Sequence, residues 1–581
     1  MPVHNADIAA IFEEIADLLE IGNENPFRIR AYRNAARTIG GFGRDIGALV
    51  EAGMDLPKLP GIGADLAGKI HEIVSTGHCK TLDKLRAQTS PGITELLRIP
   101  GLGPKRVQAL NRELGVSTVA QLREAARGKR IREIAGFAAK TEQRILDALA
   151  AHAEETPRFK LAVATQYAES LVEYLKRVRG VQRVEIAGSY RRMKDTVGDL
   201  DILVTALPGS PVMKRFVAYD EVRDILAHGD TRSSIALKNG LQVDLRLVPV
   251  ESYGAALHYF TGSKAHNIAI RRLAQARGLK INEYGVFRSK QRIAGDTEQS
   301  VYAAVGLPFI EPELREDRGE IEAARAGRLP RLVTLAELRG DLHVHTRASD
   351  GRNTISEMAR AARAQGLAYI AITEHSRRLT VARGLDPQRL EKQMDEIDRL
   401  NTEPSPITVL KGIEVDILEN GTLDLPDSVL GRLDIVIAAV HSKFDLPRRR
   451  QTERILRALD NRHVDMLAHP SGRLIGAREP YDADMLAIVR KAKSRRIFLE
   501  LNSQPDRLDI DDVICRMACD EGVTVSINSD AHGTSDFANL RYGVGQARRG
   551  WLDSGKVLNT RSLTALRAVL TANRRSEHRD A

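Results

Sequence analysis

Cysteine is nearly absent: Cys79, Cys515 and Cys519 are the only three in 581 residues. That excludes a disulfide framework and suits a reducing cytoplasm. Cys515 and Cys519 stand four apart in an expected helix and, without a second pair, read as core packing. No run of about 18 apolar residues occurs, which excludes a membrane-spanning helix. The opening Met1-Pro2-Val3-His4-Asn5-Ala6-Asp7 has neither the basic nor the apolar segment of a signal peptide. Apolar residues make up 43% of the chain, ample for packed cores, and the length predicts about three to five domains. A net charge of +10 with a pI near 9.4 favours a polyanionic partner.

The chain is organised around Gly188-Ser189-Tyr190-Arg191-Arg192 and Gly198-Asp199-Leu200-Asp201-Ile202-Leu203-Val204. Side chains alternate along a strand, so Asp199 and Asp201 are expected on one face. Two acids beside a Gly-Ser turn and two arginines suit divalent metals holding a polyphosphate. Alone, Asp-x-Asp reads more simply as a solvated edge strand. The upstream Gly-Ser and a third acid, Asp244 in the alternating Gln242–Leu247, reverse that preference.

Upstream, Leu59-Pro60-Gly61-Ile62-Gly63 and Ile99-Pro100-Gly101-Leu102-Gly103-Pro104-Lys105-Arg106 repeat one pattern, with a looser copy at Ile134–Thr141. Each reads as helix, tight turn, helix, with backbone N–H groups free to meet a phosphate. Such contacts hold a nucleic-acid backbone without reading its sequence. These copies resemble the helix-hairpin-helix motif. Arg28, Arg30, Arg33 and Tyr32 cluster just before them.

With Tyr259-Phe260-Thr261-Gly262-Ser263, Asn267, Arg271 and Ile281–Val286, residues 1–310 resemble a family X DNA polymerase. The resemblance implies a helical lyase-like domain (1–88), fingers (89–155), a nucleotidyltransferase palm with a mixed sheet (156–252) and an α/β thumb (253–312). It implies that Asp199, Asp201 and Asp244 hold two Mg²⁺ or Mn²⁺ ions for in-line displacement. Gly188, Ser189 and Arg192 match triphosphate contacts. Tyr259, Phe260 and Gly262 match the segment that faces the deoxyribose. Asn267 matches a minor-groove contact and Arg271 a template contact. Gly61, Gly63, Gly101, Gly103, Lys105 and Tyr32 are implied DNA contacts. Lys69 matches the family's Schiff-base lysine. Asp65 stands where a second lysine is expected and Phe27 where a histidine is, which leaves lyase activity open.

Residues 313–338 mix charges densely between prolines and read as a short exposed helix or a tether separating two cores. From Arg339, about seven strand-then-helix repeats predict a (β/α) barrel over 339–575, with ligands at the C-terminal strand ends. His343, His345, Asp350, His375, Glu414, His441, His469, Asp530 and His532 fall at such ends.

This array resembles the polymerase and histidinol phosphatase (PHP) domain, a three-metal phosphoesterase in the form of a distorted (β/α)7 barrel. The resemblance implies that His343, His345, Glu414 and Asp530 hold one metal. Glu414 would bridge to a second bound by His441 and His469, and Asp350, His375 and His532 would hold a third. Mixed nitrogen and oxygen ligands suit Mn²⁺, Zn²⁺ or Fe²⁺. Glu374 is expected behind the ligands, and Arg377, Arg378, Lys443 and Arg473 as phosphate contacts. The whole chain then reads as a multidomain α+β and α/β protein: a repair polymerase filling short gaps, with a 3′-5′ exonuclease. Gapped or nicked DNA and dNTPs are the expected partners. A monomer in the cytoplasm, associated with the nucleoid, is the expected setting. The rival readings are a DNA-binding scaffold with one vestigial site, or a PHP domain acting as phosphomonoesterase or abasic endonuclease.

Overall fold

A computed structural model describes residues 3–40, 46–51, 61–89, 91–97, 99, 102–134, 136–138, 141–143, 145–146, 149, 158–403 and 407–577. The chain divides into two compact units, residues 1–158 with 238–240, and residues 159–237 with 241–581.

The first unit is helical. Helix α1 (Asn5–Ile21) and helix α2 (Pro26–Gly40) pack along an apolar stripe in which Ile8, Phe12, Ile15 and Leu19 are fully buried. Arg33 is half-buried and donates to Glu13, Asp17 and Glu20 of α1 at 2.9, 2.7 and 2.7 Å. Tyr32 is interior, 3% exposed with its ring edge on Phe12. Helix α3 (Ala64–Thr76) starts at Gly63, and helix α4 (Pro104–Leu114) starts at Gly103. Pro60, Pro100 and Gly101 lie outside the described residues, as do Ala135, Ala139 and Lys140 of the looser copy.

In the second unit, strands β1 (Val181–Ile186), β2 (Asp199–Ala206), β3 (Val222–His228), β4 (Arg232–Leu237) and β5 (Gln242–Leu247) form a mixed sheet in the order β1-β2-β5-β4-β3. Only β2 and β5 run parallel, and all other pairs are antiparallel. Helices α5 (Gly188–Arg191), α6 (Tyr253–Thr261) and α7 (Lys264–Gln275) follow in chain order, α5 between β1 and β2 and the other two after β5. Strands β6 (Leu279–Asn282), β7 (Gly285–Arg288) and β8 (Gln291–Ala294) then make a small antiparallel sheet, as expected of a thumb.

The C-terminal part is a parallel seven-stranded sheet in sequential order: β9 (Gly340–Val344), β10 (Tyr369–Ile372), β11 (Thr408–Asp416), β12 (Ile435–Ala439), β13 (Met466–Leu467), β14 (Phe498–Asn502) and β15 (Val525–Asn528). A bridge between Val344 and Ala531 brings its first and last strands together, nearly closing a barrel. Most of the strand residues are fully buried on both faces, the pattern of parallel strands covered by helices. Cys515 and Cys519 are buried in its core.

The segment 313–338 differs from the expected tether. Leu314, Ile321, Ala323, Ala324 and Leu332 join the thumb residues Val301, Tyr302 and Ile310 in one apolar core, and Trp551 from the barrel completes it. Two of its charges are paired inside the protein: Arg315 and Glu320 are fully buried. Arg315 donates to Glu298 at 2.6 Å, and Glu320 lies 2.6 Å from the ring of His266. Unpaired buried charges would be costly, so these pairings are what let a highly charged segment enter a core.

Candidate active sites

The register between parallel β2 and β5 sets Asp201 directly opposite Asp244, with Asp199 two residues earlier on the same face. Three carboxylates therefore converge, as the strand periodicity required. Burial pushes the Asp201 carboxyl up to about 7, and the charges of Asp199 and Asp244 add to it, while Arg246 and Arg192 oppose the rise. Asp244 is fixed by the Ser234 hydroxyl and by Gln242, whose Nε2 donates at 2.8 Å. An acid cluster that repels itself this strongly fits divalent cations.

Gly188 sits above this cluster with φ +64, and a Cβ placed there would stand 2.9 Å from Asp201 Oδ2. Only glycine meets both demands, the left-handed backbone and the close approach. Arg192 is aimed back across the site, its Nη1 donating to Thr261 O at 2.5 Å and its Nε to Glu316 at 3.0 Å. Arg191 instead points into the thumb and pairs with Glu298. Ser189 lies half-buried on the same turn.

Tyr259 and Phe260 meet edge to face with ring centres 5.1 Å apart at the end of α6. Arg246 lies 4.2 Å over Phe260, and Arg271 lies 5.7 Å over Tyr259. Asn267 donates to Tyr259 O at 2.7 Å and keeps its buried Oδ1 without a partner. Gly262 caps α6 beside the Arg192 guanidinium.

The second cluster lies at the C-terminal ends of the barrel strands. His343 Nε2 and His345 Nε2 approach to 3.0 Å, and His345 lies 3.3 Å from Asp530. Glu414 is central: His375 is 2.6 Å from it, His469 2.8 Å and His441 3.1 Å. Asp350 is 3.4 Å from both His375 and His532. Ligand atoms group as His343, His345 and Asp530; as His375, Glu414 and His441; and as His345, Asp350, His375 and His532, each set within 4.8 Å. All nine expected residues are thus brought together. The grouping departs from the expectation: His345 also reaches the Asp350 set, Glu414 is not grouped with His343, His345 and Asp530, and His375 stands beside Glu414 and His441 where His469 was expected.

Some ring nitrogens here are buried without a hydrogen-bond partner, among them His345 Nδ1 and His469 Nδ1. Burial, with the charges of His532 and His375, pushes His345 down to about 3, so its ring offers a lone pair at neutral pH. Burial opposes charge on His375, but Glu414 and Asp350 carry it up to about 10. The pocket attracts positive charge and supplies neutral imidazole and carboxylate donors, which fits metal ions.

Supporting residues were not evident in the sequence. Glu500, fully buried on β14, accepts from His343 Nδ1 at 2.7 Å and also holds His469 N and Asn528. Asn502 donates to Asp530 at 3.0 Å, and buried Asp341 takes the Ser529 hydroxyl. Acidic Glu500 inside Ile497–Asn502 was the available signal, an ionisable group in an otherwise apolar strand. Arg507, 3.9 Å from Asp530, lies in a loop with no such signal. Glu374 takes Thr346, Ser349 and Gln393, as expected of a residue behind the ligands. Lys443 is exposed, and Arg377 is tied to Asp424 O. Arg473 is occupied by Arg507 O, Leu508 O and Asp195.

In the first unit, Gly61, Gly63, Gly103 and Lys105 are exposed, and nothing lies within 4 Å of a Cβ built on Gly63 or Gly103. Lys69 Nζ is 2.5 Å from Asp65 Oδ1. Burial lowers the ammonium pKa, yet Asp65 and Tyr32 hold it above its usual value.

Family models for a DNA polymerase beta palm (157–234) and thumb (256–316), a helix-hairpin-helix domain (3–79), a SAM-like helix-hairpin-helix tandem (93–151) and a PHP domain (341–504) match successive parts of the chain. The chain is 39% identical over 575 residues, 98% of its own length and 100% of the relative's, to the DNA polymerase/3′-5′ exonuclease PolX of Bacillus subtilis. The chain belongs to the PolX family. Two further relatives cover about a third of this PolX-family chain. A probable phosphatase of Thermoanaerobacter sp. is 30% identical over 38% of the chain and 89% of its own length. One of Caldanaerobacter subterraneus is 31% identical over 33% of the chain and 75% of its own length.

Proposed function

We infer that this chain is a DNA-templated DNA polymerase that fills short gaps during repair, with a 3′-5′ exonuclease in its PHP barrel. The observation that carries this is the presence of two complete acid or histidine clusters in a chain related to PolX from end to end. Asp199, Asp201 and Asp244 would hold two ions, Mg²⁺ or Mn²⁺. His343, His345, Asp350, His375, Glu414, His441, His469, Asp530 and His532 would hold up to three, drawn from Mn²⁺, Zn²⁺ and Fe²⁺. Such ions supply Lewis acidity and a more acidic bound water or hydroxyl.

The chain's own residues do the positioning. Ser189 and Arg192 orient the triphosphate, Arg by its always-charged fork. Tyr259 and Phe260 wall the sugar and exclude a 2′-hydroxyl. Asn267 presents a polar edge to the nascent pair, held by Tyr259 O. In the barrel, Arg507, 3.9 Å from Asp530, and Lys443 would grip a scissile phosphate. The hairpins at Gly61–Gly63 and Gly103–Lys105 bind the DNA backbone. A monomer in the cytoplasm at the nucleoid fits this role. No described helix is long and apolar enough to cross a membrane.

The test is gapped DNA carrying a 5′-phosphate, with dNTPs and either Mg²⁺ or Mn²⁺, followed for extension and shortening together. Asp199→Ala should abolish extension and spare exonuclease, and His343→Ala should do the reverse. Loss of both activities in either variant refutes the two-site reading. The relatives named probable phosphatases favour a second reading, phosphomonoesterase action. Release of inorganic phosphate from a 3′-phosphorylated primer separates it from nucleotide removal.

A further inference from the structure

The triphosphate turn is built onto the PHP barrel. Helix α8 (Asp512–Glu521) and helix α9 (Leu540–Arg549) are barrel elements, yet α9 reaches the segment just after α5. Arg549 Nη1 donates to the backbone carbonyl of Arg192 at 2.8 Å, and Gln546 Nε2 donates to that of Met193 at 2.8 Å. Met193 takes φ +55 and seats its side chain on Gly545, where a Cβ would stand 2.5 Å from Met193 Cε. Asp195, two residues on, is held by Arg473.

The charges continue the connection. Glu316 Oε1 accepts from Arg192 Nε at 3.0 Å and from Arg549 Nη1 at 2.9 Å. Arg549 Nη2 also donates to Asp512 at 2.6 Å, where Arg318 arrives at 2.9 Å. Side-chain exposure falls from 11% at Arg192 to 2% at Arg549, so these are interior interactions, weakly screened. Burial works against charge on Glu316, and the two arginines hold its carboxyl below the usual range.

We propose that Arg549, together with Glu316, is a positioning residue of the polymerase site, acting through Arg192 to set how readily its guanidinium passes to an incoming nucleoside triphosphate. This rests on the reading of Arg192 as a triphosphate contact. Glu316 competes with the triphosphate for Arg192. Arg549 moderates that competition by sharing the Glu316 carboxylate and by fixing the Arg192 backbone. Without Arg549, Glu316 has Arg192 as its remaining partner and grips it harder. With Glu316 neutralised, Arg192 loses its anionic partner and keeps only the neutral Thr261 carbonyl among these two acceptors. The two substitutions therefore act in opposite directions, which a loss of packing would not produce.

The experiment uses the full chain, in single-nucleotide gap filling at steady state, with 3′-5′ exonuclease measured on the same preparations without dNTP. Arg549→Gln is expected to raise KM for dNTP about tenfold with kcat within about twofold, the scale of one charge-assisted hydrogen bond. Arg549→Lys should fall between it and the parent, since lysine can serve Glu316 but not all three acceptors. Glu316→Gln is expected to lower KM about threefold. Exonuclease rates should stay unchanged in all three. In an Arg192→Ala background, Arg549→Gln should change nothing further. If the two KM shifts share a sign, or the double variant is additive, the proposal fails. Should Arg549→Gln fold poorly, Glu316→Gln decides alone, and an unchanged or raised KM there overturns it. If Arg192→Ala itself leaves KM for dNTP unaltered, it is the triphosphate reading that has failed.

Discussion

Replacing Gly188 with alanine makes the most direct test of the palm geometry. The backbone at Gly188 has φ +64, a conformation that costs an L-residue about 1–2 kcal/mol. The added methyl would also stand 2.9 Å from Asp201 Oδ2, below the contact distance of carbon and oxygen. Relief requires the carboxylate to move by a few tenths of an ångström. That carboxylate is held in register against Asp244, so the turn or the metal-binding face must give way. A misplacement of about 1 Å at a reacting centre costs roughly a hundredfold, so a shift of this smaller size predicts a fall in kcat of about tenfold. Gly209→Ala is the control. It adopts φ +82 yet meets nothing within 4 Å, so it carries the conformational cost without the collision. Single-turnover gap filling at saturating dNTP should show Gly188→Ala slowed and Gly209→Ala close to the parent, with exonuclease unchanged in both. Full polymerase activity in Gly188→Ala would refute the argument that the turn and Asp201 share one tightly set space.

Three further outcomes are expected. Lys69 is kept above its ordinary pKa by Asp65, so at pH 7.5 only about one amine in a thousand or fewer is free. Asp65→Asn should therefore increase borohydride trapping on a 5′-deoxyribose phosphate, and the parent's trapping should rise steadily with pH; equal trapping in both proteins would show that the ion pair is irrelevant. Glu500→Gln weakens the acceptor that orients His343 and should lower metal affinity in the barrel by about tenfold or more, measured by titrating exonuclease with Mn²⁺, while extension is kept. Glu316 has its folded pKa depressed by Arg192 and Arg549, so its contribution is present above the unfolded carboxyl value and lost as pH falls through the lower folded one. The Glu316→Gln protein should accordingly lose less stability between about pH 5 and pH 3 than the parent, followed by urea unfolding.

Much of this was legible because the chemistry follows short backbone periods. Asp199 and Asp201 declare a shared face through the two-residue repeat of a strand, and Asp244 declares itself in a third alternating run. The ligands of the barrel stand at the ends of apolar strands, where sequence order and spatial order coincide around a sequential sheet. What escaped were interactions between residues far apart in sequence. Arg33 stood out only as one of a cluster with Arg28, Arg30 and Tyr32, and its partners Glu13, Asp17 and Glu20 lie a helix away. Residues 313–338 looked solvated because charge density cannot distinguish ions facing water from ions facing Glu298 or His266. Glu500 stands in an apolar strand, and its role appears only when β9 is laid near β14.

The apolar core that joins the thumb, residues 314–332 and the barrel contains Trp551, which is the only tryptophan in the chain. It is 8% exposed, with the Arg516 guanidinium 4.1 Å over its ring. The protein thus carries a native fluorophore at one of the places where its synthetic and degradative halves are sewn together. Emission from this indole reports the seam and not either catalytic centre. Solvent quenching of that signal ahead of the loss of helical circular dichroism would mark parting of the two halves as a step separate from their unfolding.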